Sequence, residues 1–290
     1  MSSSSDLMLV TAASGKTGRA CVAGLLAHGA NVRALVRRQD AADELKASGV
    51  QDVVIGDLFD AEVLRSATQG ISRILHICPP MHPNEDILAA MLTDIAFAQG
   101  VQRLVLYSVM HPHIDVPHHR RKLKAEENLI GSGLGFTILQ PCRYMQHVDA
   151  IWPQILRDGA HCMPFSVDSR FSLVHLDDLA EAAALAVMED RHENAIYELG
   201  GRQALNQNDC ARIISHVLGR EIIAQARPLQ DFLNGARAAG MPEARINVLD
   251  IMNRHYDAHG LHGNGNILRW LLGREPISFE GHVRALALRG

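Results

Sequence analysis

The stretch Leu9-Val10-Thr11-Ala12-Ala13-Ser14-Gly15-Lys16-Thr17-Gly18-Arg19 decides the fold. Residues 7–11 (LMLVT) form a short apolar run that reads as a buried strand. Residues 17–28 then carry Val22, Leu25 and Leu26 at helical spacing, and Gly29 stands where a helix C-terminal glycine belongs. A strand, a tight glycine turn and a helix together make an anion site, because the N–H groups of the first helical turn are unpaired and partly positive. Gly15 lets the backbone approach a pyrophosphate closely, and Gly18 lets the helix pack on the strand. The place of the first glycine in a dinucleotide-binding turn is taken by Ala12. Alanine serves there provided that its φ stays negative.

Outward from this turn, strand-like and helix-like runs alternate. Strands read at residues 31–36, 53–55, 71–77, 103–108 and 136–139, and helices at 41–48, 60–68, 85–99 and 122–132. Such alternation predicts an α/β fold, a Rossmann-type doubly wound parallel sheet whose strands are apolar because helices cover both faces. Beyond Pro141 the pattern loosens, with a strand at 171–175 and helices at 177–188, 206–218 and 230–239, then a short terminal helix. We expect a nucleotide-binding domain over residues 1–150, with 165–190 returning to it. Residues 151–290 then form mainly a smaller C-terminal substrate lobe.

Composition narrows the function. The chain has 290 residues, 47% of them hydrophobic, and a formal charge of −4, so neither disorder nor a nucleic-acid footprint is evident. Five scattered cysteines without a CxxC pair fit free thiols in a reducing compartment. The polar start MSSSSD lacks the apolar run of a leader, and no apolar stretch approaches the roughly 20 residues that span a membrane. These features read as a soluble cytoplasmic protein without membrane or direct nucleic-acid contact. A homodimer is compatible with them.

The end of the second strand sets the nucleotide preference. NAD binders carry an acid there, about 20 residues past the glycines, whereas arginine receives the 2′-phosphate of NADP. The sequence reads Val36-Arg37-Arg38, with no acid before Asp40. NADP(H) is therefore the expected cofactor, with Arg37 on the 2′-phosphate and Arg38 and Lys16 assisting. Ala13, Ser14, Gly15, Lys16, Thr17 and Gly18 frame the pyrophosphate. Asp57 and Leu58, after the third strand, face the adenine edge, although Asp57 reads equally well as a turn cap. Ile77, Cys78 and Pro79, after the fourth strand, lie toward the nicotinamide.

These pieces together resemble the NmrA-like group of atypical short-chain dehydrogenases/reductases. The matching segments are TAASGKTGR, VRALVRR, GDL at residues 56–58, SGLGFTILQP at 132–141, SLVHLDDLAEAAA and YELGG at 197–201. The resemblance covers nearly the whole chain and implies a Rossmann domain with a small C-terminal lobe and NADP(H) at the strand ends. Some members are NADPH-dependent reductases of quinones, dyes or conjugated carbonyls. Others bind the nucleotide to sense redox state and regulate a partner.

The wider superfamily uses a Tyr-x-x-x-Lys pair with an upstream serine. Here Lys122 is preceded four places earlier by His118 instead of tyrosine, and Ser108 ends the fifth strand. Lys122 is expected to hold the nicotinamide ribose. His118 or His119 is a candidate proton donor, since an unperturbed imidazole titrates near 6.5. Pro80, His111, Tyr144 and Met145 are candidates to line the substrate pocket. The run MHPHIDVPHH is interrupted by two prolines, has no cysteine nearby, and is not read as a metal site.

The leading reading is an NADPH-dependent reductase passing hydride to a small quinonoid, aromatic or conjugated carbonyl substrate. Such acceptors carry their own electron sink and tolerate the missing tyrosine. The alternatives are a nucleotide-sensing regulator without turnover and, with less support, a non-redox enzyme using histidine acid–base chemistry.

Overall fold

The structure is a computed structural model that describes residues 6–289. The polar start at residues 1–5, read above as no leader, lies outside the described residues, as does Gly290. Among the described residues no helix is long and apolar enough to cross a membrane.

The chain divides into two compact units. The first comprises residues 6–113, His119–Gln140 and Leu179–Tyr197, and the second Ile114–His118, Pro141–Asp178 and residues 198–289. Thus the return to the first unit is made by residues 179–197, while the strand at 171–174 pairs within the second unit.

The first unit alternates β1 (Leu7–Val10), α1 (Lys16–Ala27), β2 (Asn31–Val36), α2 (Gln39–Ala47), β3 (Asp52–Ile55), α3 (Ala61–Thr68), β4 (Arg73–His76), α4 (Glu85–Ala98), β5 (Arg103–Tyr107), α5 (Pro117–Ile130) and β6 (Gly135–Pro141). The second unit opens with β7 (Arg143–Tyr144), α6 (His147–Asp158), β8 (Ala160–Met163) and β9 (Phe171–Val174). Next come α7 (Leu176–Met188) and β10 (Ala195–Leu199), which lead through the first unit and back, and then β11 (Ala204–Leu205), α8 (Gln207–Leu218) and β12 (Ile223–Ala226). Helices α9 (Leu229–Ala238), α10 (Glu243–His259), α11 (Asn266–Leu272) and α12 (Phe279–Ala287) complete the chain.

The main sheet runs β10-β6-β5-β4-β1-β2-β3, and the pairs from β6 to β3 are parallel. This is the Rossmann order expected from the sequence. The order reverses between β1 and β4, and ligands of such sheets bind beyond the strand C-termini at that switch point. Strands β1, β4 and β5 are buried along almost their whole length, and one core cluster joins Leu9, Ile74, Leu88, Leu104 and Ile138. The second unit has its own core around Met145, Trp152, Ile155, Ile214 and Val283.

Three readings are corrected. Helix α5 begins at Pro117, five residues before the expected start, so His118 and His119 stand in its first turn. Proline suits that first position because its fixed φ is already helical and its missing N–H would have no helical partner. Helices α6 and α10 carry no clear sequence pattern, the first because Pro153 lies within it and the second because its buried face is sparse: Ile246, Val248, Leu249 and Asn253. Finally, Ala12 adopts φ +46, not the negative value that would have made alanine unstrained.

Helix α1 meets the end of β1 at close range. A Cβ on Gly18 would lie 2.3 Å from the Ala12 carbonyl oxygen and 2.8 Å from the Ala13 backbone. Six residues on, Gly24 approaches the Ala180 carbonyl of α7, where a Cβ would sit at 3.0 Å. Two substitutions should therefore act in opposite directions. Gly18→Ala should lower stability in urea unfolding by about 1–3 kcal/mol, the range for overpacking a tight site. Ala12→Gly relieves a left-handed alanine worth about 1–2 kcal/mol. Part of that gain is lost to a freer unfolded chain, so a net increase below about 1 kcal/mol is expected.

Candidate functional site

The turn leaving β1 is tied to both neighbouring strands. Thr11 N–H donates to the Leu75 carbonyl at 3.1 Å on the β4 side, and Ala13 N–H to Leu35 O at 3.2 Å on the β2 side. Between these anchors Gly15 N–H donates to Ala12 O at 3.1 Å. Between the two tied residues, Ala12 stands in left-handed backbone. The Thr11 hydroxyl also accepts from Ile77 N–H and lies 2.9 Å from both the Ile77 carbonyl and His76 Nδ1. One buried side chain thus joins the ends of β1 and β4 at the switch point.

Helix α1 starts without a side-chain cap and without an acid in its first turn. Its leading N–H groups are left for an outside anion, as the glycine turn implies. Ser14 gives its carbonyl to Arg19 Nε at 2.9 Å, which holds the turn. Ala13 is buried, whereas Gly15 and Lys16 are exposed. Beyond β2, the two arginines differ. Arg38 makes a two-pronged bond to Asp40, at 2.9 and 2.8 Å. Arg37 is exposed and has no carboxylate partner among the described residues, nor has Lys16. The residues present therefore fit an NADP-type dinucleotide: free helix N–H groups for the diphosphate and an unclaimed guanidinium for a phosphate beyond β2.

Strand β3 supplies less than expected. Asp57 Oδ1 accepts from Phe59 N–H at 2.9 Å, so its carboxylate serves as a turn cap. The Leu58 side chain is 5% exposed and packs in the core, leaving only its backbone for a ligand. Beyond β4, Ile77 and Cys78 are buried, Pro79 half-buried and Pro80 exposed. Burial, reinforced by the nearby Glu85 carboxylate, pushes the Cys78 thiol far above its usual range, so it is a neutral thiol and not a reactive thiolate.

Beneath the strand ends lies a polar layer whose partners were not singled out from the sequence. Lys122 Nζ donates to Glu85 Oε1 and, at 3.1 Å, to the Tyr107 carbonyl. Both side chains of the ion pair are at most one-tenth exposed. The Ser108 hydroxyl donates to Glu126, whose carboxylate also accepts from Gln140 Nε2 at 3.0 and 2.9 Å. Burial raises the Glu126 pKa, and the Ser108 and Gln140 bonds oppose that rise. His76 is 1% exposed, with Nε2 unpartnered, and burial together with the Lys122 charge pulls its pKa down to about 3. Only the acidic character of residues 85 and 126 on helices facing strand ends could have pointed to them.

His119 is fully buried, with Nδ1 3.0 Å from the His111 carbonyl. His111 itself is in left-handed backbone at φ +53. His118, half-buried, belongs to the second unit, as do Tyr144 and Met145. Four described residues other than glycine have positive φ: Ala12, Met81, His111 and Asn194. Three of them sit in the loops leaving β1, β4 and β5, the edge at which this fold binds its ligands.

Comparison with known proteins agrees with this geometry. The profile of the NmrA-like family matches residues 4–283. The chain belongs to the NmrA-like family. An NAD(P)H azoreductase from Xenophilus azovorans is 29% identical over 253 residues, 86% of each chain. Quinone oxidoreductase 2 from Escherichia coli K12 is 25% identical over 290 residues, 97% of this chain and 98% of its own. The crystal structure of the NADPH-dependent quinone oxidoreductase of E. coli complexed with NADPH superposes with a TM-score of 0.86 at 24% identity, covering 97% and 99% of the two chains. NmrA, a negative transcriptional regulator, shares the fold with a TM-score of 0.80 at 16% identity, over 98% and 96%.

Two outcomes are expected of the polar layer in this NmrA-like chain. Lys122→Met leaves Glu85 buried without this cation and should cost about 3–5 kcal/mol in urea unfolding. The double variant Lys122→Met/Glu85→Leu should recover most of that loss. For His76, the folded pKa lies below the unfolded one, so between pH 6 and 4 the unfolded chain takes up a proton that the folded chain refuses. Stability therefore falls on acidification by up to about 1.4 kcal/mol per pH unit from this group. His76→Asn should flatten the measured slope by that amount.

Proposed function

We propose that the protein is an NADPH-dependent reductase that passes hydride to a small quinonoid, aromatic or conjugated carbonyl acceptor. The observation that carries this reading is the uncapped N-terminus of α1 with Arg37 unclaimed beyond the next strand. The named activities of the azoreductase and quinone oxidoreductase relatives support it.

When bound, NADPH supplies the hydride. The first-turn N–H groups of α1 hold its diphosphate, assisted by Lys16 and Thr17. Arg37 grips the 2′-phosphate and discriminates against NADH. The backbone of Asp57 and Leu58 borders the adenine, and Ile77, Cys78 and Pro79 present main chain and apolar surface to the nicotinamide. Two of the three Lys122 N–H bonds are taken by Glu85 and Tyr107 O. The third is directed to the ribose, at a position that the buried pair makes rigid. His118, in the first turn of α5, is the proposed proton donor, because His119 is enclosed and its Nδ1 is engaged by His111 O. A quinonoid acceptor needs little of this help, since its oxygen can be protonated by solvent once hydride has arrived.

The second reading is a nucleotide-sensing regulator of the NmrA type. The observation in its favour is Ser108, whose hydroxyl is committed to Glu126 rather than left for a substrate carbonyl. Titration with NADPH and NADH, followed by NADPH oxidation with quinones, azo dyes and enones, separates the two. Turnover is expected for the reductase. Tight NADPH binding without turnover on any acceptor would establish the sensor. Arg37→Ala should weaken NADPH by about 10–100-fold, the loss of one charge-assisted phosphate contact, and NADH by less than twofold. Equal losses would remove Arg37 from the phosphate role.

A further inference from the structure

The second unit contains a cavity of its own, and its chemistry is not accounted for by the fold. It measures ≈ 40 Å³, with Arg143, Tyr144, Met145, Met163, Leu173 and Phe279 in its wall. On this measure one water needs about 10–15 Å³, so the space takes a group of a few heavy atoms. Most of the wall is apolar.

Arg143 lies over two aromatic rings, with its guanidinium carbon 5.0 Å from the Phe165 centroid and 5.4 Å from that of Phe171. Among the described residues its one polar side-chain contact is the Met163 sulfur, 3.7 Å from Nη2. No carboxylate pairs with it among the described residues. The nearby ionisable groups are Cys210, Tyr256 and His161, and all three are neutral: burial pushes Cys210 up to about 12 and raises Tyr256, and burial with the Arg143 charge pulls His161 down to about 4. The same cavity holds two buried polar side chains with unmet capacity. His161 is 6% exposed and its Nδ1 has no partner. Gln207 is 2% exposed; its Nε2 donates to the Phe165 carbonyl at 2.7 Å, but its Oε1 is unpartnered.

Arg143 is half-buried and so only partly solvated, and stacking on aromatic rings recovers only about 2 kcal/mol of what it loses. The guanidinium meets aromatic carbon and sulfur in this wall. No carboxylate among the described residues competes for this guanidinium, which leaves it open to an anion from outside the chain. The fork of a guanidinium matches a planar carboxylate, and the surrounding rings and methyl groups match a short apolar body. We propose that this cavity binds a small carboxylate with a compact apolar body, its anionic head on Arg143 and its hydrocarbon against Met145, Leu173 and Phe279. Gln207 Oε1 then remains to accept a hydroxyl or amine carried by the preferred members of that class. The inference rests on the second unit alone and is independent of hydride transfer.

The test uses butyrate and its uncharged isostere butyramide, titrated into the full chain labelled with ¹³C at the methionine methyls. Butyrate is expected to bind at least tenfold more tightly than butyramide and to shift the Met145 and Met163 signals. Arg143→Met should bring the two ligands within twofold of each other, and Arg143→Lys should fall between. Equal affinities in the unsubstituted protein, or shifts confined to methionines outside the cavity, would overturn the proposal. So would a butyrate preference that survives Arg143→Met, or sulfate binding as tightly as butyrate. If Arg143→Met fails to fold, the wild-type ligand preference and the location of the methyl shifts decide the matter alone. The readout is binding, so its failure leaves the reductase reading untouched, and loss of turnover leaves this site untouched.

Discussion

The approach of α1 to the end of β1 is the constraint on which the rest depends. Gly18 has no side chain to hold the helix off the Ala12 carbonyl, so the helix N-terminus comes to rest at the switch point of the sheet. Two strand-to-turn bonds, from Thr11 to Leu75 and from Ala13 to Leu35, fix the loop in between. Ala12, between them, stands in left-handed backbone. The strain is local, and the compensation is the packing of α1 against β1 and, through Gly24, against α7. A loop held from both sides presents its N–H groups in one geometry, which is the condition for an anion site that needs no reorganisation on binding.

A second layer of order lies under the strand ends. Lys122, Glu85, Ser108, Glu126, Gln140 and His76 are all nearly buried and are linked by charge or hydrogen bonds to neighbours from other elements. Buried polar groups of this kind contribute little net stability compared with well-packed hydrocarbon. Their effect is to fix positions. Lys122 has its ammonium placed by Glu85 and a backbone carbonyl, so its remaining N–H is directed rather than mobile. The superfamily's tyrosine is absent, but the lysine retains a rigid seat. Chemistry that asks for cofactor positioning more than for a strong acid suits such a site.

Much of the first unit was legible in the sequence. Its strands are continuous apolar runs and its helices end on glycines, and these local signals survive without knowledge of the partners. The strand at residues 31–36 has the bounds read from its pattern, and Asp60 caps the helix it was expected to open. The glycine turn that opens α1 and the exposed arginine after β2 could also be placed from the sequence, because their positions depend on spacing along the chain. The second unit was legible only in part: Asn206 caps the helix it was expected to open, and the strand at 171–174 and helix α9 lie close to where they were read. Pro153 interrupted the pattern of α6, and α10 buries too few apolar residues to show a stripe.

What the sequence by itself determined was the alternation of strands and helices, the family, and the candidate phosphate contacts, all of which are set by local pattern. Tertiary structure alone decided the backbone of Ala12, the partners of Lys122 and Ser108, the enclosure of His119 and the seating of Arg143 on two phenylalanines. Glu85 is 37 positions from Lys122, and Phe165 is 22 from Arg143. No periodicity links residues so far apart. They meet because burying the apolar faces brings their elements together, and the polar groups carried in with those faces must then find each other or a ligand.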